Sequence, residues 1–260
     1  LFQDALTMTR RNLAHVRQIP EKLLDVTLQP VMFVVLFAYV FGGVIAVPGG
    51  NYREYLIAGV IVQSLGFGIM GPATSIATDL REGVVDRFRS LPMSRSAYLL
   101  GHLFAELLAM SLAVLVLSLA GLVVGWRIHS PVQDAVAAYA LLMFFAFAML
   151  WVGTLLGVTV RSADAAQGAV FMVVFPMTFL ATTFVPITGF NGVLRSIAAW
   201  NPISALSGAV RLLFGNPTAT PADAPWSLHH PIITSVVWCT AIAAIALPLA
   251  VHQYTVKARG

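Results

Sequence analysis

An all-α polytopic membrane protein is the fold class this sequence predicts, and three observations carry the prediction. Apolar residues make up 58% of the 260 positions and charged residues 10%, where a soluble domain carries about 25% charged residues. Mean hydropathy is +0.85. The apolar residues gather into runs of about 20 or more, the length a helix needs to cross roughly 30 Å of hydrocarbon, and the charges cluster between the runs, most densely from Asp79 to Ser96.

Six runs reach that length, at about 26 to 46, 55 to 78, 97 to 125, 132 to 160, 165 to 187 and 232 to 252. An even count puts both termini on one side. Arg10, Arg11, Arg17, Lys22, Arg81, Arg87, Arg89, Arg95, Arg161, Lys257 and Arg259 fall on that side, against Arg53, Arg127, Arg195 and Arg211 on the other. Lysine and arginine mark cytoplasmic connections, so the termini are expected in the cytoplasm. No internal repeat and no linker divides the chain, and 1 to 260 reads as a single transmembrane domain.

Ahead of the first run, Phe2, Leu6, Thr9, Leu13 and Val16 recur at alternating steps of four and three, with Arg10, Arg11 and Arg17 largely elsewhere around the helix. That pattern predicts a helix lying in the membrane interface within residues 1 to 25. Pro20 ends it, because proline lacks a backbone donor and disfavours helix in the residue before it. A surface helix packed on another subunit is the alternative. The charges throughout this stretch argue against a cleavable signal peptide, and the opening Leu1 leads us to expect a native start further upstream.

The charged island at 79 to 96 must lie outside the hydrocarbon. Leu80, Val84, Phe88 and Leu91 fall on one helical face, and Arg81, Glu82, Asp86, Arg87 and Arg89 occupy most of the remainder. This is the pattern of a short docking helix at a membrane surface.

Between the fifth and sixth runs, residues 190 to 214 are apolar enough to enter the membrane but are broken at Trp200-Asn201-Pro202 and bounded by Asn191-Gly192 and Gly215-Asn216-Pro217. Neither half can span. Two short helices, about 191 to 199 and 203 to 213, are expected to dip into the outer leaflet and return, their broken backbone buried against protein. Arg195 and Arg211 would hold the ends near headgroups. A plain external loop containing an amphipathic helix is the alternative. Residues 217 to 225, rich in proline and small polar residues, read as a solvated external loop. Gly121 with Gly125 and Gly153 with Gly157 form small-xxx-small pairs, which serve close packing within the chain first and a dimer seam second.

Several chemistries find no residues to perform them. The only lysines, Lys22 and Lys257, follow no glycine-rich loop, so the phosphate-loop device for binding ATP is missing. The six histidines are scattered, and His229-His230 stands alone in an external loop, which gives no metal site. No nucleophile motif can be read. Cys239 has no partner for a disulfide. The net charge of +4 reflects membrane topology, since the basic residues are spread over connections and form no nucleic-acid patch.

Within the runs, Glu106 stands one helical turn after His102 on the same face. An intramembrane carboxylate is costly and is a functional candidate by default. His102 and Glu106 are therefore candidates for the translocation pathway, where Glu106 could attract a cationic substrate or take up a proton. A structural hydrogen bond that Glu106 accepts from His102 or Arg95 is the alternative. The fourth and fifth runs carry Met143, Phe144, Phe145, Phe147, Met149, Trp151, Phe171, Met172, Phe175, Met177, Phe179 and Phe184. Such residues can re-pack around varied apolar ligands, or simply face lipid and core.

Taken in order, these elements resemble the permease subunits of type-two ABC exporters, particularly the daunorubicin-resistance branch, over essentially the whole chain. The most specific likeness is Arg81-Glu82-Gly83 followed by Leu91-Pro92-Met93-Ser94-Arg95 and Tyr98-Leu99-Leu100-Gly101; the second is Trp200-Asn201-Pro202 with Arg211. The resemblance implies a bacterial inner (cell) membrane protein. It implies that two permeases, two copies of this chain or this chain with a sister, join two copies of a cytoplasmic ABC ATPase subunit. ATP and Mg would bind that partner, and this chain would hold no cofactor and no ATPase site. Arg81, Glu82, Gly83, Val84, Asp86, Arg87, Phe88 and Leu91 would couple to the ATPase, with a second contact near Arg161 to Asp164. Cargo would be a drug, a lipid or a glycolipid. A proton-coupled secondary transporter using Glu106 and a membrane scaffold without a pathway are the rival readings.

Overall fold

The computed structural model describes Leu28, residues 31 to 82 and residues 95 to 257, with side chains in the last block from residue 101. Every element among the described residues is helical. The interfacial helix expected in 1 to 25 lies outside them, as do Gly83, Val84, Asp86, Arg87, Phe88 and Leu91 of the docking segment.

Helix α1 is Val31–Phe41, its last turn widened to a π-helix at Phe37–Phe41. Helices α2, Tyr52–Phe67, and α3, Met70–Arg81, follow one another as a single span of 30 residues. Asn51 caps α2 by accepting a hydrogen bond from the Arg53 N–H at 2.9 Å, and Glu54 in the first turn complements the helix dipole. Helix α4 is Arg95–Val124 and stops at Gly125, whose φ of +106° is a conformation side chains disfavour. Helix α5 is Val132–Thr159. Helix α6, Ala163–Phe179, is capped by Ser162 Oγ, which accepts from Ala165 N–H at 3.2 Å.

After a 3-10 turn at Ile187–Gly189 come α7, Gly192–Trp200, and α8, Pro202–Phe214, bent 65° from each other. Pro202 sits in the first turn of α8, where its missing N–H costs nothing. Gly215 ends the helix with φ +69°, and Asn216 N–H closes back on Arg211 O at 2.8 Å. The short α9, Trp226–His229, leads into α10, Pro231–Lys257.

Among the described residues four helices are long and apolar enough to cross a membrane, Tyr52–Arg81, Gly101–Val124, Val132–Thr159 and Pro231–Val256, with a fifth if the bent pair counts as one span. The first and fifth apolar runs appear as shorter helices, Val31–Phe41 and Ala163–Phe179. At 1.5 Å per residue, 17 residues of α6 cover about 25 Å, less than the hydrocarbon thickness. The expected extent to residue 187 is cut short at Leu180, beyond which the backbone is held by side chains of α2 and α8.

Helix α5 packs mainly on α10 and α3. Most of the α2–α3 span and of α5 is buried, whereas only 22% of the α10 window is. The former are central and the latter peripheral. Gly153 and Gly157 bring α5 onto α2–α3: a Cβ on Gly153 would sit 2.7 Å from Ile69 O, and one on Gly157 2.7 Å from Ala73 O. This pair is occupied within the chain. Gly121 packs on Ile57 and Trp126, but Gly125 serves as a helix stop, so the second pair forms no continuous seam.

Gly157→Ala should therefore cost about 1–3 kcal/mol through overpacking, read as a lower melting temperature of the purified protein. Gly168→Ala, at a position with open space around it, is the matched control and should melt at or above wild type. Equal melting of the two variants would refute this packing.

Candidate functional site

The bent pair α7–α8 poses the hardest local problem, because a break in an apolar helix leaves backbone donors and acceptors that its own next turn cannot satisfy. Side chains of the pair do this for the neighbouring chain. Asn201, at the bend, accepts from Ile203 N–H at 2.8 Å, capping α8, and its amide donates to Met177 O at 2.7 Å and Leu180 O at 3.1 Å, capping the end of α6. Ser204 Oγ accepts from Thr182 N–H at 2.9 Å.

Arg211 completes the set. The expectation that it sits at headgroup level is wrong, because it is wholly buried. Its phase on α8 puts it in line with Ser204, Ser207 and Phe214, all buried, at helical steps of three and four. Its Nε donates to Tyr55 O at 2.8 Å, a terminal nitrogen donates to Thr183 O at 3.0 Å, and the guanidinium lies 3.4 Å from the centroid of the Tyr55 ring. Tyr55 in turn donates its hydroxyl to Thr182 O at 2.8 Å. Gly59 makes the approach possible, since a Cβ there would clash with Thr183 O. Among the described residues no carboxylate reaches Arg211. The planar fork answers two carbonyls and a ring face at once, which a lysine head cannot do.

The rest of this end of the bundle is bracketed by the α4–α5 connection. Trp126 donates its indole N–H to Asn216 Oδ1 at 2.7 Å, Asn216 donates to Arg127 O at 2.9 Å, and His129 N–H donates to Phe214 O at 2.9 Å. His129 Nε2 also lies 2.7 Å from Glu54 Oε1 on α2. Arg195 pairs with Asp223 at 2.8 Å and holds that exposed carboxyl below its usual range, tying α7 to the 217 to 225 loop. Trp200 is exposed and Pro202 half-buried beside the bend.

Deeper in the bundle, His102 and Glu106 do come together on α4, with 3.9 Å between Nε2 and Oε1, and His102 Nε2 is 3.0 Å from Ser75 Oγ of α3. Phenylalanines form a ladder along α6: Phe67 to Phe171 at 6.2 Å, Phe171 to Phe175 at 4.9 Å, Phe175 to Phe179 at 4.3 Å, Phe179 to Phe184 at 5.8 Å and Phe184 to Phe37 at 4.6 Å. The three rings of α6 are partly exposed. Arg81 and Glu82 are exposed at the end of α3, with Glu82 N–H bonding Thr78 O at 2.9 Å.

Residues 3 to 214 match the family model of the ABC-2 type transporter. The chain belongs to this family. It is a multi-pass membrane permease subunit of the ABC-2 kind, which lacks an ATPase domain and implies a partner ATPase subunit. Over 208 residues, 80% of this chain and 74% of the relative, it is 31% identical to the daunorubicin resistance ABC transporter permease protein DrrB1 of Streptomyces coeruleorubidus. It is 25% identical over 238 residues, 88% of this chain and 80% of the relative, to the doxorubicin resistance ABC transporter permease protein DrrB of Mycobacterium tuberculosis. The putative transport permease ycf38 of Cyanophora paradoxa is 20% identical over 219 residues, 83% of this chain and 75% of that one.

Sequence reasoning found Asn201 and Arg211 in this ABC-2 permease but missed Tyr55, Ser204, Thr182, Thr183, Trp126 and Asn216. Only Asn216 carried a signal, in the Gly215-Asn216-Pro217 stop. Tyr55 and Thr183 lie in apolar stretches, and their roles exist only once α2, α6 and α8 meet.

Arg211→Met should destabilise the permease by about 2–5 kcal/mol, since it leaves buried carbonyls without donors. Arg211→Lys should recover only part of this. Thermal unfolding in detergent, with proteolysis of the 180 to 186 segment as a local probe, checks it; wild-type behaviour of both variants would dismiss the latch.

Proposed function

We propose that this chain is the membrane half of an ATP-driven exporter that moves a hydrophobic or amphipathic substrate, a drug, lipid or glycolipid, out of the cytoplasm. A separate ATPase subunit in two copies would bind ATP and Mg, and a second copy of this chain or a sister permease would complete the membrane domain. The whole of 1 to 260 would act as one permease domain with six crossings in a bacterial cell membrane, both termini cytoplasmic.

One observation carries the reading: α3 runs from a membrane-length span out to Arg81 and Glu82, and α4 begins again at Arg95. The charged stretch between them would then link two spans at a single membrane face, the face with the excess of basic residues. A docking segment there, with Phe88 and Leu91 supplying apolar area and Glu82, Asp86 and Arg87 setting register, would enter a groove on the ATPase. Closure of the ATPases on ATP would move it as a lever and rock the spans between inward and outward access.

The cargo assignment leans on the relatives, which are named for resistance to daunorubicin and doxorubicin, and on the partly exposed phenylalanine ladder of α6. Stacked rings at 4.3 to 5 Å present faces and edges to which apolar and aromatic ligands adhere. His102 and Glu106 belong to the pathway on this reading, and α7–α8 closes its outer end around Asn201 and Arg211.

Co-expression with a cognate ABC ATPase should give a complex that hydrolyses ATP and concentrates an apolar dye in vesicles. Glu82→Lys and Phe88→Ala should each lower ATP-dependent transport at least tenfold or dissociate the complex. Intact binding and transport in both variants would falsify the docking assignment, and transport by the chain alone under a proton gradient would favour the secondary carrier.

A single cysteine placed at residue 86 should react only with reagent supplied from the cytoplasm, and one at residue 223 only with reagent from outside. The reverse pattern would overturn the orientation.

A further inference from the structure

Two arginines gather at the end of the bundle where α2 begins and α4 stops. Arg53 is the second residue of the span Tyr52–Arg81, and Arg127 lies just past Val124, the last residue of the span Gly101–Val124. Both stand where their helices leave the hydrocarbon, at the depth of lipid phosphates. Arg53 Nη1 donates to Val124 O at 3.3 Å, and its guanidinium carbon lies 5.0 Å from the centroid of the Tyr39 ring of α1. Arg127 Nη1 donates to Leu122 O and Trp126 O, each at 2.7 Å, and Asn216 pins the Arg127 main chain by donating to its carbonyl at 2.9 Å. Both forks thus reach carbonyls at the last turn of α4. A guanidinium has five N–H donors, so each fork keeps donors that these carbonyls do not use.

Arg127 is exposed and Arg53 half-buried. Among the described residues neither has a carboxylate partner. Glu54, next to Arg53 in sequence, is taken by His129, whose Nε2 is 2.7 Å from its Oε1. The result is a pair of positive charges without a counter-charge.

Beneath them runs an apolar row. Leu108, Leu112, Leu115, Leu119 and Leu122 are exposed along one side of α4 at steps of four and three. The row covers about 21 Å of helix, more than half of the roughly 30 Å hydrocarbon. Arg127 bonds the carbonyl of Leu122, the last of the row. On α1, Met32, Val35, Leu36 and Tyr39 are exposed as well, so Arg53 stands between the ends of two apolar faces. Leucines at such steps also occur in paired helices, but helices that pair in lipid need small residues to bring their backbones together. The glycines that do so here, Gly59, Gly153 and Gly157, make their contacts within the chain. The α4 row is leucine throughout, which suits acyl chains.

We propose that Arg53, Arg127 and Tyr39 seat the phosphodiester of an anionic membrane phospholipid whose acyl chains lie along the leucine row of α4. Guanidinium forks match phosphate oxygens with paired N–H groups, and Tyr39, exposed beside Arg53, adds a phenolic donor. The two charges select a headgroup without an ammonium, because a zwitterionic lipid brings its own cation to a place that already holds two. Since Arg53 joins α1 and α2 to the end of α4, a lipid held there would fasten these three helices. The seat needs only the membrane fold; neither cargo nor ATPase enters it.

Native mass spectrometry of the full chain in a neutral detergent tests this, with dioleoyl phosphatidylglycerol and dioleoyl phosphatidylcholine as probes. Wild type should hold the phosphatidylglycerol about ten- to thirtyfold more tightly, and Arg53→Gln and Arg127→Gln should each reduce that preference about fivefold, the weight of one basic residue at an anionic lipid surface. Arg127→Gln removes contacts only to its own loop and helix end, so it carries the test if Arg53→Gln does not fold. Arg195→Gln, whose arginine is paired with Asp223, is the control and should leave the preference unchanged. Equal binding of both lipids by wild type, an undiminished preference in Arg127→Gln, or the same loss in Arg195→Gln overturns the seat. Displacement of the lipid by inorganic phosphate would make this a free-phosphate site and overturn it too. So would dimers that Leu115→Ser and Leu119→Ser separate while the bound lipid stays the same, since the row would then belong to a second copy of the chain.

Discussion

A buried guanidinium that answers backbone carbonyls is the interaction on which the half of this permease around the α7–α8 bend depends. Lipid offers no hydrogen bonds, so a chain that leaves helix within a bilayer must find every donor and acceptor in protein. Here the end of α6 and the segment after it are held by Asn201, Ser204, Tyr55 and Arg211, one side chain after another reaching main-chain groups between Met177 and Thr183. Burying a cation costs several kcal/mol. The cost is offset because the fork satisfies two carbonyls and stacks on Tyr55, and because the alternative is a set of unpaired carbonyls in an apolar medium.

The same constraint explains where the glycines matter. Gly59 lets Thr183 reach the α2 backbone and the Arg211 fork, while Gly153 and Gly157 let α5 seat on Ile69 and Ala73. Without a hydrophobic drive between helices in lipid, close backbone approach is what gives dispersion contacts their weight. The outcome is one tightly packed unit of α2, α3, α5 and α8, with apolar side chains of α4 and α10 such as Leu108, Leu115, Val237 and Ile245 left exposed on its flanks.

How legible this was depended on whether the signal was local. The bent pair was readable almost to the residue, at 191 to 199 and 203 to 213 against Gly192–Trp200 and Pro202–Phe214, because Asn191-Gly192, Asn201-Pro202 and Gly215 act on their own neighbours. The long spans were equally plain. The end of α6 was not, since Pro186 marks a stop several residues too late, and what holds the chain from Leu180 onward is chiefly donors waiting on α2 and α8. Arg211 was misplaced for a related reason: charge rules put arginine at the interface, and only the Tyr55 ring and the freed carbonyl of Thr183, distant in sequence, make burial tolerable. Glu106 was visible as an anomaly, whereas its seat against Gly71 is supplied by another helix.

These pieces lie along one rod. The span Tyr52–Arg81 has 30 residues, about 45 Å of helix. One end is gripped at Tyr55 by Arg211, its middle carries Gly71 against Glu106 and Ser75 against His102, and its other end is the start of the charged segment that the exporter reading gives to the ATPase. Near Ile69 and Ala73 the backbone of the span is seated against α5 with no room for a Cβ. On the exporter reading, a push at the charged end would therefore bear on α5 as well as on the span itself. The end held by Arg211 and the end joined to the ATPase would then move as parts of one packed unit, and no separate signal would need to pass between them.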